Sequence, residues 1–253
     1  MATRFGRIAT PSGAKDVEVE EPRAHVLSGP PWTTPHRTGE VFELADVTWL
    51  VPSAASKVIA IGQNYRKHAE EMGKAVPVEP LIFMKPMTAL NAHGAPIVLP
   101  PASSEVHYEA ELALVIGKKL TRATEAEAAE AIFAVTCFND VTARDIQKRE
   151  VQHTRAKSYD TFACCGPWMV RGLDFADLAV KCRVNGALKQ DGRTSDMVHS
   201  PAKLVAFISH VMTLLPGDVV STGTPSGVGA LKEGDVVEVE IEGVGVLRNP
   251  VTR

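Results

Sequence analysis

Glu109 and Glu111, one residue apart in HYEAELALVIG, are the side chains of this sequence whose type and spacing speak most directly of chemistry. Successive side chains of a strand point to opposite faces. Tyr108, Ala110, Leu112, Leu114 and Ile116 therefore make one apolar side, while Glu109 and Glu111 share the other. Two carboxylates meeting at one point repel each other and raise at least one pKa unless a cation lies between them, which suits a hard divalent ion. The same spacing also suits the solvated outer face of a sheet, and the pair alone does not choose between the two.

A third acid stands in FAVTCFNDVTARDIQ, where an apolar run ends in Asn139 and Asp140. An aspartate leaving a buried strand can complete a three-carboxylate site, and three carboxylates with water and substrate oxygens make a Mg²⁺ or Mn²⁺ pattern, not a zinc pattern. Taken singly, Asp140 is equally a helix N-cap or turn residue. In YRKHAEEM, Asn64 is a candidate cap and Gly73 a stop for a short helix with Tyr65, His68, Ala69 and Met72 on one stripe and Glu71 one turn from His68. Arg144 and Gln147 would lie one turn apart in a helical TARDIQ. In STGTPSGVG, Gly223, Gly227 and Gly229 allow close backbone approach to an anion, and no GK[ST] follows to make a P-loop.

The elements that must position these residues are mostly strands. Thr124 and Glu127 fit a capping box opening a helix through EAEAAEAIF. Ser200 and Pro201 start a second helix with Leu204, Ile208, Val211, Met212 and Leu215 along one side. LLPGDVVS and ALKEGDVVEVEIEG repeat a Gly-Asp turn expected in a meander of neighbouring antiparallel strands. Residues 73–80 read as a mobile loop. Strands without regular βαβ alternation argue against a Rossmann fold or a TIM barrel and for an α+β, mainly β, rolled structure. Proline-rich residues 1–52 read as a small N-terminal β domain, and SKVIAIG opens the main domain, 53–253.

Composition is that of an ordinary globular chain: 45% hydrophobic and 23% charged residues with net charge −3 suggest neither disorder nor a nucleic-acid surface. The start, MATRFGRIATPSG, has no apolar signal-peptide core, and no run has the length to cross a bilayer, so a cytoplasmic protein without a membrane partner is expected. Cys137, Cys164, Cys165 and Cys182 lack CxxC spacing and are read as buried reduced thiols; adjacent Cys164 and Cys165 leave a vicinal disulfide or a reactive thiol as alternatives.

IGQNYRKHAEEM, FMKP, HYEAELALVIGK, FNDVTARDIQ, RAKSYDTF, GPW and PGDVVSTGTPSGVG, in this order, resemble the successive signatures of the fumarylacetoacetate hydrolase family, over about 200 residues from Ile59 onward. The resemblance implies a mixed β-roll catalytic domain, a homodimer, and Mg²⁺ or Mn²⁺ held by Glu109, Glu111 and Asp140. It implies His68 and Glu71 as a water-activating dyad, Lys157 beside the metal, and Arg144, Gln147, Lys157, Gly223 and Thr224 toward a small 2-oxo acid or dicarbonyl substrate. The activity it implies first is hydrolysis of the C–C bond of a 2,4-dioxo acid such as an acylpyruvate through a metal-stabilised enolate. Isomerisation of a 5-carboxymethyl-2-hydroxymuconate-type diacid, and decarboxylation or tautomerisation of oxaloacetate, use the same site, and a non-enzymatic ligand-binding module is a further alternative. Relatives commonly carry an aromatic residue where His153 stands and a proline near Cys164, and both departures bear on substrate fit.

Overall fold

The computed structural model describes residues 2–253; Met1, the first residue of segment 1–52, lies outside them. The architecture is α+β and mainly β, as expected. The largest sheet runs Arg37–Glu43, Arg23–Leu27, Gly13–Glu20, Thr3–Thr10, Ala163–Arg171, Ile132–Asp140, Ala110–Ile116, Val219–Ser221, Val58–Gly62, Leu81–Lys85. Neighbours along this path are antiparallel except Val219–Ser221 with Val58–Gly62. A second sheet orders Ala187–Arg193, Ala179–Val184, Val236–Ile241, Gly245–Thr252 and Ile97–Val98, and a small third one holds Val106–Tyr108 between Thr142–Ala143 and Gly229–Ala230. The two GDVV segments therefore lie in different sheets and are not adjacent strands of a meander. Their likeness is that of the turn, with Gly217 and Gly234 both at positive φ.

Strand Ala110–Ile116 is buried on both faces, which decides the meaning of the glutamates. Tyr108, Ala110, Leu112, Leu114 and Ile116 all enter the main core. On the other face, Ala113 packs with Val58, Phe138 and Val219, and Val115 packs with Phe5, Leu27 and Met169. The N-terminal strands thus extend the sheet through Thr3–Thr10 against Ala163–Arg171 and help cover the face that carries Glu111. A solvated outer face is excluded.

Among the described residues five α-helices accompany the sheets: α1 (Arg66–Glu71), α2 (Glu125–Ala131), α3 (Arg144–Arg149), α4 (Thr154–Lys157) and α5 (Pro201–Val211). The capping box at Thr124 and the Ser200 cap form as the sequence predicts. Helix α2 stops before Ile132, because Ile132 pairs with Ile116 in the central sheet, where a β-branched side chain fits better, and Phe133 falls at the irregularity that follows in the same strand. The buried stripe of α5 is Leu204, Val205 and Ile208; Val211 is 61% exposed, since the chain turns extended at Met212 before another turn of helix can form. Asn64 does not cap α1. Tyr65 takes that place, while the Asn64 amide bonds His199 and Thr222 main-chain groups across the fold.

All four cysteines are free and buried. Cys164 and Cys165 are not joined to each other, and burial pushes the Cys164 thiol up to about 12, which disfavours its reactive thiolate. No described helix is long and apolar enough to cross a membrane.

A candidate metal and catalytic site

The register between two central strands assembles the acids. Ala110 pairs with Asn139, so Asp140 comes opposite Glu109, and the Asp140 N–H donates to the Glu109 carbonyl at 2.9 Å. Opposed residues of a ladder share a face. Carboxylate oxygens of Glu109, Glu111 and Asp140 consequently lie within 4.8 Å of one another, all three side chains buried. One detail differs from the sequence reading: Glu109 sits at the break between Val106–Tyr108 and Ala110–Ile116, which belong to different sheets, and the Asn139 side chain takes up its N–H. Asp140 ends its strand; the N-cap of α3 is Ala143.

Three cations neutralise this cluster. Lys157, the last residue of α4, donates to Glu109 at 2.8 Å and to Asp140 at 2.5 Å. Arg144 donates to Glu109 and, on its other side, to Gln147, the one-turn spacing expected of TARDIQ. Lys85 donates to Asp140 and, at 3.1 Å, to the Val141 carbonyl. Lys85 is a partner that the sequence reading left without a role. Its signal was present: strand alternation puts Lys85 and Phe83 on one face of LIFMK, and Pro86 ends the ladder there. Phe83 in turn lies 5.1 Å below the Lys157 ammonium.

Burial by itself would raise both glutamates, and the partners decide each one. For Glu109 burial is outweighed by Lys157 and then Arg144, which hold its carboxyl well below the usual range. Among the described residues Glu111 forms no ion pair, and Lys157 acts on it only as a minor opposing charge. Burial, then Asp140 and Glu109, push its carboxyl well above the ordinary value, against which Ser221 Oγ and the Gly223 N–H donate. Burial depresses Lys85, while for Lys157 it is overcome by Asp140 and Glu109, which raise it. An all-oxygen set of clustered, buried carboxylates, one of them with its ionised form disfavoured, fits a hard divalent ion that would supply positive charge there.

Above the acids, His68 Nδ1 is 3.1 Å from Glu71, and the Glu71 carboxylate is itself held by the Gly227 N–H at 3.0 Å. A Cβ at Gly227 would lie 2.3 Å from the Lys189 carbonyl, which together with φ of +99° requires glycine. The helix carrying the dyad ends in a Schellman motif, with Gly73 at φ +66° and bonds Gly73 N–H to Glu70 and Lys74 N–H to Ala69. Because Nδ1–H is committed to Glu71, Nε2 keeps its lone pair.

The acids, His68, Arg144, Gln147, Lys157 and Thr224 line one pocket with Ile61, Gln63, Met72, Lys74, Phe83 and His153. Gly223 does not line it, and the anion that its N–H meets is Glu111 of its own chain. The Thr224 hydroxyl donates to Ala110 and accepts from Gln190, which fixes that wall. Gln190 and Ser221, distant in sequence, carried no local signal.

Comparison with known proteins adds an independent finding. Residues 57–252 match the family described as fumarylacetoacetate (FAA) hydrolase, C-terminal, and residues 3–52 the one described as Rv2993c-like, N-terminal. A crystal structure of 5-carboxymethyl-2-hydroxymuconate delta-isomerase from Mycobacterium smegmatis is 46% identical, covers 99% of both chains and has a TM-score of 0.93. An oxaloacetate tautomerase of Bacillus subtilis is 40% identical over 79% of this chain and 71% of its own. Fumarylpyruvate hydrolase from Pseudomonas aeruginosa, solved with Mn²⁺ and pyruvate, is 31% identical, covers 81% of this chain and 91% of its own, and has a TM-score of 0.75.

Proposed function

The chain belongs to the fumarylacetoacetate hydrolase family, and from that premise we propose that it hydrolyses the C–C bond of a small 2,4-dioxo acid, an acylpyruvate, with Mg²⁺ or Mn²⁺ at Glu109, Glu111 and Asp140. The observation that carries this reading is the Glu71-oriented His68, which faces the same pocket as the three acids. When bound, the ion would polarise the 2-oxo carbonyl and favour negative charge on its oxygen as the bond breaks. His68 Nε2 takes a proton from the water that attacks the distal carbonyl, while Glu71 keeps the ring in the right tautomer. Lys157 and Gln147 hold the 2-oxo carboxylate end, and Arg144 keeps Glu109 ionised and in place. Thr224 forms part of the pocket wall, and Gly223 acts from behind it by holding Glu111. The same reading takes residues 53–253 as the catalytic domain and 1–52 as a small N-terminal domain, in a cytoplasmic homodimer with neither nucleic acid nor membrane as partner.

A second reading is favoured by the names carried by the relatives at 46% and 40% identity, an isomerase and a tautomerase. Proton transfer on a hydroxymuconate-type diacid or on oxaloacetate, or decarboxylation of the latter, would use His68 as a shuttle without hydrolytic water. Acetylpyruvate, oxaloacetate and a hydroxymuconate analogue, assayed in parallel with Mg²⁺ and with Mn²⁺, separate the two. Acetylpyruvate is expected to be cleaved fastest; inert acetylpyruvate beside rapid oxaloacetate enolisation would replace the first reading with the second.

The raised Glu111 carboxyl gives a pH prediction. In the metal-free protein its proton is favoured, so this group's contribution to stability is full below the ordinary value of 4.5 and is lost as pH rises through its raised value. Filling the site reverses the sign, because Glu111 must give up that proton. Titrations with Mn²⁺ in buffers of different ionisation heat should report proton release on binding, with affinity rising with pH. Buffer-independent heats would contradict a protonated Glu111.

A further inference from the structure

Side-chain alternation extends the acidic face toward the N-terminus: in EVHYEAE, Glu105, His107, Glu109 and Glu111 fall on one side. Glu105 and His107 bond none of the three acids, yet His107 holds Arg144, which lines the pocket and pairs with Glu109.

Arg144 is tied down at both ends. Its main-chain N–H donates to the Glu105 carbonyl at 2.7 Å, where Val106 pairs with Ala143 and His107 with Thr142, and this fixes the start of α3. Its guanidinium, 3% exposed, donates in three directions: Nε–H to His107 Nδ1 at 3.4 Å, and the two terminal groups to Gln147 and Glu109. An arginine only donates, so Nδ1 must present its lone pair. The ring hydrogen then lies on Nε2, which meets the Glu105 carboxylate at 2.9 Å. Lys148 holds that carboxylate from the solvent side at 3.0 Å. Glu105 thereby sets the tautomer of His107, as Glu71 does for His68.

A planar fork with three fixed acceptors has one orientation. Without the imidazole, Nε–H of a buried charged group is left unpaired, a larger loss than that of an exposed ion pair such as Lys148 with Glu105. The fork can then turn about its stem, and Glu109 and Gln147 are no longer served together. Gln147 matters because Arg144 takes its carbonyl oxygen, so what this side chain has to offer the pocket is its amide N–H donors.

We infer that Glu105 and His107 are positioning residues of this site: the imidazole, fixed by Glu105, holds the Arg144 guanidinium in the orientation that keeps Glu109 in place for an ion and turns Gln147 into a donor. The inference rests on the 2-oxo acid reading above for what the site binds, and on geometry alone for the hold on Arg144.

The test titrates Mn²⁺, then pyruvate, calorimetrically into the full chain and its His107 variants. His107→Leu is expected to weaken Mn²⁺ binding about tenfold and pyruvate binding by a similar factor. In His107→Asn, whose Oδ1 stands as many bonds from Cα as Nδ1 does, most of both should return. A companion cycle uses urea unfolding with chelator: His107→Leu should lower stability in the unaltered background and have little effect in Arg144→Met, where no guanidinium remains to be held. Undiminished binding in His107→Leu, an asparagine no better than leucine, or equal stability losses in the two backgrounds each overturns the inference. If the unaltered protein binds Mn²⁺ but not pyruvate, the 2-oxo acid reading falls, while the Mn²⁺ titrations and the unfolding cycle still decide the hold on Arg144.

Discussion

His68→Ala is expected to cut kcat/KM by about 10²–10⁴-fold while Mn²⁺ affinity stays within about twofold. The ring is bonded to Glu71 and to none of the three acids, so its removal takes away the base without touching the ion's ligands. His68 is 5% exposed, and alanine leaves a void; His68→Gln keeps most of the volume and should lose activity with a smaller drop in melting temperature. Glu71→Gln should be milder, about 10–100-fold, since the Gly227 N–H can still hold the amide oxygen. Steady-state kinetics beside calorimetric Mn²⁺ titration decides the matter. Unchanged turnover in His68→Ala would sink the assignment of the base, and a parallel loss of Mn²⁺ binding would mean that the ring holds the site together instead.

The second large effect is on stability. Lys157→Met should destabilise the metal-free protein by about 3–5 kcal/mol, because the lysine pairs two buried carboxylates, Glu109 and Asp140, and leaves both under-compensated. Arg144 and Lys85 remain as one partner each, which should prevent complete unfolding. Saturating Mn²⁺ should recover much of the loss, since a divalent ion restores the missing positive charge and binds only the folded state. Urea unfolding with chelator and with Mn²⁺, on both proteins, measures the difference. Equal stability with chelator would mean that the ammonium does not pair with the acids; equal losses with and without Mn²⁺ would mean that no ion enters there.

Much of the local structure was legible because its causes are local. The Thr124 capping box, the Ser200–Pro201 start of α5 and the Gly73 stop of α1 each depend on a few consecutive residues, and each is observed. The departures have non-local causes. Ile132 leaves α2 because a partner strand competes for it, and Asn64 gives up capping to bond residues 135 and 158 positions away. Of the candidate site residues, the acids, His68, Arg144, Gln147, Lys157 and Thr224 share the pocket. Glu71 stands behind His68, and Gly223 stands behind Glu111.

By itself the sequence determined the residue types and the strand period that put Glu109 and Glu111 on one side, the one-turn spacing of His68 with Glu71, and the ordered motifs that mark the family. Only the tertiary structure decided that this side is interior. Phe5, Leu27 and Phe138 cover it, strand register sets Asp140 opposite Glu109, and Lys85 arrives from 55 residues away to share Asp140 with Lys157. The physical reason is that side-chain alternation is a property of one strand, whereas burial and charge pairing depend on which strands become neighbours, and ladder register and long-range packing fix that.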